Sequence, residues 1–189
     1  MPAIAFLKAK CIAQGDLREV ALKAKAALDR DCWAQVLIFD DVTSAVIEVD
    51  FRGTAQEVSQ RLPSEHAESD GEARKPGRPK LGVVAREVTL LPRHWQWLAA
   101  QPGGASVALR KLVEEARKAN QGKDQRRSAL DAAYLFLSAM TGNEPRFEEA
   151  TRALFAGNRE QFESMMASWP VDVRDHARRL AAATWREDA

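Results

Sequence analysis

An α+β fold in three parts is predicted by three observations. Short apolar runs of strand length crowd the first third of the chain, and helical periodicity fills the last third. Between them, a proline-rich polar stretch leads into a basic centre. The expected layout is a small α+β module over residues 1–62, a linker with a basic arm over 63–80, a compact dimerising segment over 81–120 and a helical bundle over 128–189.

Residues 4–12 read as a strand or a short hairpin ending at Gly15. Asp16 can then cap a helix over 17–28, where Val20, Ala24 and Ala27 share a stripe. Gln35-Val36-Leu37-Ile38-Phe39 is β-rich, and Asp40 to Ser44 read as its turn. Residues 45–51 alternate, with Ile47, Val49 and Phe51 on one face. After Gly53, Thr54 can cap a short helix through Leu62.

The linker has few apolar side chains and switches from acidic to basic near residue 73. Beyond the centre, a polar connector is expected over 119–127. Leu130, Tyr134, Leu137 and Met140 then mark one face of a helix over 128–141. Gly142 to Pro145 break it. Helices over 147–155, 159–169 and 171–185 complete the expected bundle.

The net charge of +1 conceals a division along the chain. Residues 1–73 hold 8 basic and 13 acidic side chains, a balance of −5; residues 74–127 hold 13 and 4, or +9; residues 128–189 hold 7 and 10, or −3. A basic centre between acidic flanks is the electrostatic footprint of a polyanion-binding segment. A membrane role is not expected, because no apolar run reaches the length of a span. No secretion signal is read at the N-terminus, so the expected location is the cytoplasm, with the nucleoid as a site of action. Two cysteines, Cys11 and Cys32, read as reduced thiols.

Catalytic chemistry is poorly provided for. His66, His94 and His176 have no companions at metal-ligand spacing, and there is no phosphate loop, dinucleotide fingerprint or nucleophile elbow. No enzyme activity, cofactor, catalytic residue or metal site is therefore expected. Asp172, Asp175 and His176 read as a solvated helix face.

The functional signal lies in the centre. Arg74-Lys75-Pro76-Gly77-Arg78-Pro79-Lys80 precedes a strand-like run over 83–91, closed by Pro92. Trp95, Leu98 and Ala99 share one face of a first helix, Pro102-Gly103-Gly104 make a turn, and Ser106 is a candidate cap for a second helix. Leu109, Leu112, Val113 and Ala116 form that helix's apolar stripe. This order resembles the ribbon-helix-helix DNA-binding proteins, the Arc and MetJ repressor class. The resemblance implies a homodimer through residues 83–91 whose antiparallel ribbon enters the major groove. One ribbon face would carry Ala85, Glu87, Thr89 and Leu91; the other would carry Val84, Arg86, Val88 and Leu90, and a one-residue slip exchanges them.

Lys75 to Lys80 is similar to the AT-hook, with Pro76 where that motif has a further arginine. The resemblance implies that Arg78 lies in a narrow A·T minor groove while Lys75 and Lys80 reach phosphates. The expected DNA-contacting set is Arg74, Lys75, Arg78, Lys80, Arg86, Glu87, Thr89, Ser106, Arg110 and Lys111. Their partner is double-stranded DNA, A·T-rich where the arm binds.

The strings GRPKLGVVAREVTLLPRHW, AQPGGASVALRKLVEEAR, ALFAGNREQFESM and WPVDVRDHARRL also resemble a bacterial family known as domain of unknown function 2239. The functional expectation is a transcriptional regulator or nucleoid-associated factor. The alternative is an antitoxin-like protein that holds a partner with its C-terminal bundle.

Overall fold

A computed structural model describes residues 1–63, 84 and 86–185, and its fold is mixed α+β. Strands β1 (Pro2–Leu7), β2 (Lys10–Asp16) and β3 (Val36–Asp40) form an antiparallel sheet in the order β2-β1-β3. The helices are α1 (Leu17–Arg30), α2 (Ala55–Arg61), α3 (Pro92–Ala99), α4 (Gly104–Thr141), α5 (Phe147–Phe155), α6 (Arg159–Met165) and α7 (Val171–Ala181). A 3-10 turn, Ala182–Trp185, follows α7.

Strand β1 explains the sheet's position. It pairs with β2 from Pro2↔Asp16 to Leu7↔Lys10, with a bulge between Ala5 and Phe6, and with β3 from Ala3↔Asp40 to Leu7↔Val36. Being central, it buries both faces, and its sequence is correspondingly apolar without a gap. Small Ala3 and Ala5 meet α1 through Val20, Ala21 and Ala24, so the helix approaches closely. Large Ile4 and Phe6 point the opposite way, into a core with Phe39, Phe136, Leu137, Leu154, Phe162 and Trp169.

Residues 1–67 and 123–189 therefore make one compact unit, and residues 68–122 make a second. Residues 1–62 and 128–189, read from the sequence as separate parts, contribute to one shared core. Neither face of β1 can be left to water, and the C-terminal helices cover one of them.

Asp16 caps α1 by accepting from the Arg18 N–H at 2.8 Å, as its position before the apolar stripe predicts. Thr54 caps α2 in a reciprocal capping box. Its hydroxyl accepts from the Glu57 N–H at 3.3 Å, and the Glu57 carboxylate accepts from the Thr54 N–H at 2.7 Å. The Thr54 N–H, with the Thr54 hydroxyl donating to the same carboxylate at 3.0 Å, holds the Glu57 carboxyl below its ordinary range. We expect Thr54→Ala to cost about 1 kcal/mol, read as a lowered urea midpoint at constant slope.

Two local expectations change. The alternating residues 45–51 are not a strand: an isolated bridge, Phe39↔Val46, ties them to β3, with the Ile47 N–H donating to the Ile38 carbonyl at 2.8 Å and the Asp40 N–H to the Ala45 carbonyl at 2.9 Å. Ile47, Val49 and Phe51 nevertheless pack together on the α1 side. The polar connector over 119–127 is the middle of α4, a continuous helix of 38 residues, or about 57 Å. Its only breaker is Gly122, which costs roughly 1 kcal/mol in a helix, while alanine, glutamine, lysine and arginine around it favour one.

Candidate nucleic-acid interface

Arg74, Lys75, Arg78 and Lys80 lie outside the described residues. Arg86, Glu87 and Thr89 are exposed in a stretch with no regular structure in the single chain, immediately before α3. Val84 and Val88 beside them are exposed too. The two possible ribbon faces are thus not distinguished by burial.

From Leu91 to the Gly103-Gly104 turn the local reading holds. Leu91 is the cap residue of α3, and Pro92 stands at its first position, where a missing N–H costs nothing. The Leu91 carbonyl accepts from the His94 N–H at 2.8 Å and the Trp95 N–H at 3.2 Å. The helix ends at Ala99, and the turn that follows has φ of +84° at Gly103 and +74° at Gly104. A Cβ on Gly103 would sit 3.1 Å from the Val107 side chain, so both its conformation and its closeness to α4 suit glycine.

Helix α4 begins at Gly104, earlier than a cap at Ser106 requires. Ser106 is the third helical residue and is exposed, within the first turn whose N–H groups have no intrahelical acceptor. Its carbonyl accepts from Arg110 Nε at 3.1 Å. Arg110, Lys111, Arg117 and Lys118, at i, i+1, i+7 and i+8, share one side of the helix. Arg117 pairs with Glu114 at 2.8 Å and holds that carboxyl below its usual range. Among the described residues, Arg86, Arg93, Lys111 and Lys118 have no ion-pair partner.

The apolar side chains of this unit are mostly uncovered. Leu98 and Ala108 are its buried residues among those described, whereas eight large apolar side chains stay exposed. These are Val84, Val88, Leu91, Trp95, Trp97, Val107, Leu112 and Val113. Leu112 and Val113 belong to the predicted apolar stripe of the second helix, so periodicity located the stripe but could not say what covers it. From residue 110 to 128 every side of α4 is exposed.

A second polar cluster went unread in the sequence. His176 is only 4% exposed, ringed by Phe136 at 4.4 Å and Phe6 at 5.7 Å between centroids. Arg179 donates to its Nδ1 at 2.6 Å, which places the neutral ring's proton on Nε2. That nitrogen is buried without a hydrogen-bond partner. Arg179 also grips Asp41 in a fork at 2.9 and 2.5 Å, while Asp41 accepts from Gln14 Nε2 at 3.1 Å. Asp172 accepts from the Cys11 N–H at 2.9 Å. Burial raises the Cys11 thiol above its ordinary pKa. Of the three residues read as a solvated face, Asp175 is exposed, Asp172 half-buried and His176 buried. The missed signal was the spacing of Val173, His176, Ala177 and Leu180, which puts the histidine on the apolar stripe.

No group of three or more metal-ligating side chains occurs among the described residues, and no helix among them is long and apolar enough to cross a membrane. Comparison with curated proteins and with solved structures finds no significant match. One family model matches residues 2–181, its family described as uncharacterized protein conserved in bacteria, DUF2239. That span takes in the sheet, the basic centre and the C-terminal helices together, and on it the chain belongs to the DUF2239 family.

Proposed function

We propose that the central unit is a dimeric DNA-binding module, used in transcription regulation or nucleoid organisation in the cytoplasm. The observation that carries this reading is the imbalance, among the described residues of the unit, of two buried side chains against eight exposed large apolar ones. Each such side chain moved from half-exposed to buried contributes roughly 1 kcal/mol, so a second copy laid over them repays association. The loose stretch before α3 then becomes a strand paired with its twin, because a lone strand cannot close a core.

The charge pattern supplies the rest. Arg86, Arg110 and Lys111, with Arg74, Lys75, Arg78 and Lys80 of the preceding arm, face a polyanion with little internal neutralisation. Phosphate contacts set the position, and Glu87 or Arg86 with Thr89 reads base edges according to register.

The test is fluorescence anisotropy with A·T-rich and G·C-rich duplexes at about 50 and 200 mM salt. Arg110→Ala combined with Lys111→Ala is expected to reduce the slope of log affinity against log salt by about 1.8. Sedimentation equilibrium is expected to show a dimer that Val88→Glu converts to monomer. A monomeric wild type, or equal salt slopes in wild type and double variant, ends the proposal.

A second reading, capture of a protein partner, rests on exposed Tyr134, Leu135 and Phe155 of the helical region. Tyr134 and Phe155 pack edge to face at 5.5 Å in that exposed position. It gains ground if DNA affinity is weak and a second protein co-purifies in fixed stoichiometry.

A further inference from the structure

The first unit contains a cavity that the DNA-binding reading does not use. It measures about 500 Å³ and opens to solvent between the β1–β2 turn, the end of α1, β3 and the C-terminal end of α4. This lies within the roughly 300–1,000 Å³ of small-molecule sites. Leu28, Val36, Phe51 and Met140 give it an apolar side, and Gln35 adds a polar group to the lining. Lys8 is the one charged side chain lining it. We propose that this cavity binds a small amphipathic carboxylate, its apolar body against that apolar side and its anionic head on Lys8.

Two observations carry the assignment. Lys8 has no ion-pair partner among the described residues, so its ammonium is free to meet an anion. The turn holds it in place: its backbone N–H donates to the Gln35 carbonyl at 3.0 Å, and Gln35 also lines the cavity. The φ of +53° at Lys8 is the left-handed conformation that a two-residue hairpin loop between Leu7 and Lys10 calls for at its first position, so the turn fixes where this lysine leaves the sheet. The rim adds exposed Leu37 and, next to the lining residue Ala34, Trp33, which is 89% exposed.

The cavity forms only where residues from the two ends of the chain meet. Ala139 and Met140 close it opposite Val36 and Phe51. It stands independently of the proposed DNA-binding role and survives if that role fails.

Isothermal titration of the full chain with decanoate, and with decanol as its uncharged counterpart, tests the assignment below the concentration at which either self-associates. Decanoate is expected to bind saturably at one per chain. Lys8→Met is expected to weaken decanoate by about tenfold while leaving decanol unchanged. Ala139→Trp fills the space and is expected to abolish both. Leu37→Glu, at a half-exposed rim position that tolerates charge, is expected to weaken decanoate alone and guards against a misfolded tryptophan variant. Absence of saturable binding, unchanged decanoate affinity in Lys8→Met, or rim and filling variants that bind like wild type overturns the proposal.

Discussion

Phe136→Ala is expected to lower the stability of the first unit by about 3–5 kcal/mol, the range for a truncated core aromatic. The residue is fully buried and sits where the two halves of the unit meet. Its ring lies 5.4 Å from those of both Phe6 on β1 and Phe39 on β3, and 4.4 Å from His176 on α7. Removing it takes away the transfer free energy of a phenyl ring and leaves a void that three surrounding elements cannot close together. Leu135→Ala is the control: its side chain is half exposed, and it is expected to cost less than about 1 kcal/mol. Urea unfolding followed by circular dichroism measures both. The sheet and the C-terminal helices should melt together in Phe136→Ala; two separate transitions would show that they do not share a core.

Acid is expected to destabilise the protein between about pH 6.5 and pH 4, through His176. Burial holds the imidazole down at about 4, against an ordinary 6.5; the nearby Arg179 cation lowers it further, and Asp41 opposes both more weakly. Arg179 comes from the same helix, Asp41 from the turn after β3, and Phe6 and Phe136 close the remaining sides without charge. In this window the unfolded chain binds a proton that the folded chain refuses, so stability rises with pH. The contribution is fully present above about pH 7, declines toward pH 4 and is flat below, amounting to roughly 3 kcal/mol at most. Carboxylates such as Asp41, held below the ordinary range by Arg179 and Gln14 against the opposing effect of burial, act at lower pH. His176→Phe keeps an aromatic ring in the core and should remove the decline between pH 6.5 and 4. An unchanged acid limb in that variant would place the proton elsewhere.

Local elements were legible because local physics decides them. Asp16 and Thr54 announce the starts of α1 and α2, since a short oxygen-bearing side chain before an apolar stripe satisfies orphan N–H groups. Pro92 and the Gly103-Gly104 pair mark the start of α3 and the turn before α4 for equally local reasons. The same approach failed at residues 119–127, where polarity was taken for a break although no residue there but glycine opposes a helix. It failed again at His176, whose polar character outweighed the apolar stripe it belongs to.

Of the candidate interface, the order of its elements and its positive charge were readable from composition and spacing. The exposure of its apolar side chains was not, because periodicity reports which residues share a face and carries no information about what meets that face.

The sequence by itself determined the α+β class, the apolar character of β1, the positions of most helices and the location of the basic centre. Each rests on residues a few positions apart, within reach of one another's backbone or of a shared stripe. Tertiary structure alone settled that Phe6 meets Phe136 and His176, and that Lys8 shares a cavity with Met140. Such pairs are separated by more than a hundred residues. Which apolar faces meet is selected by the closure of a common core, a property of the whole chain that no short window contains.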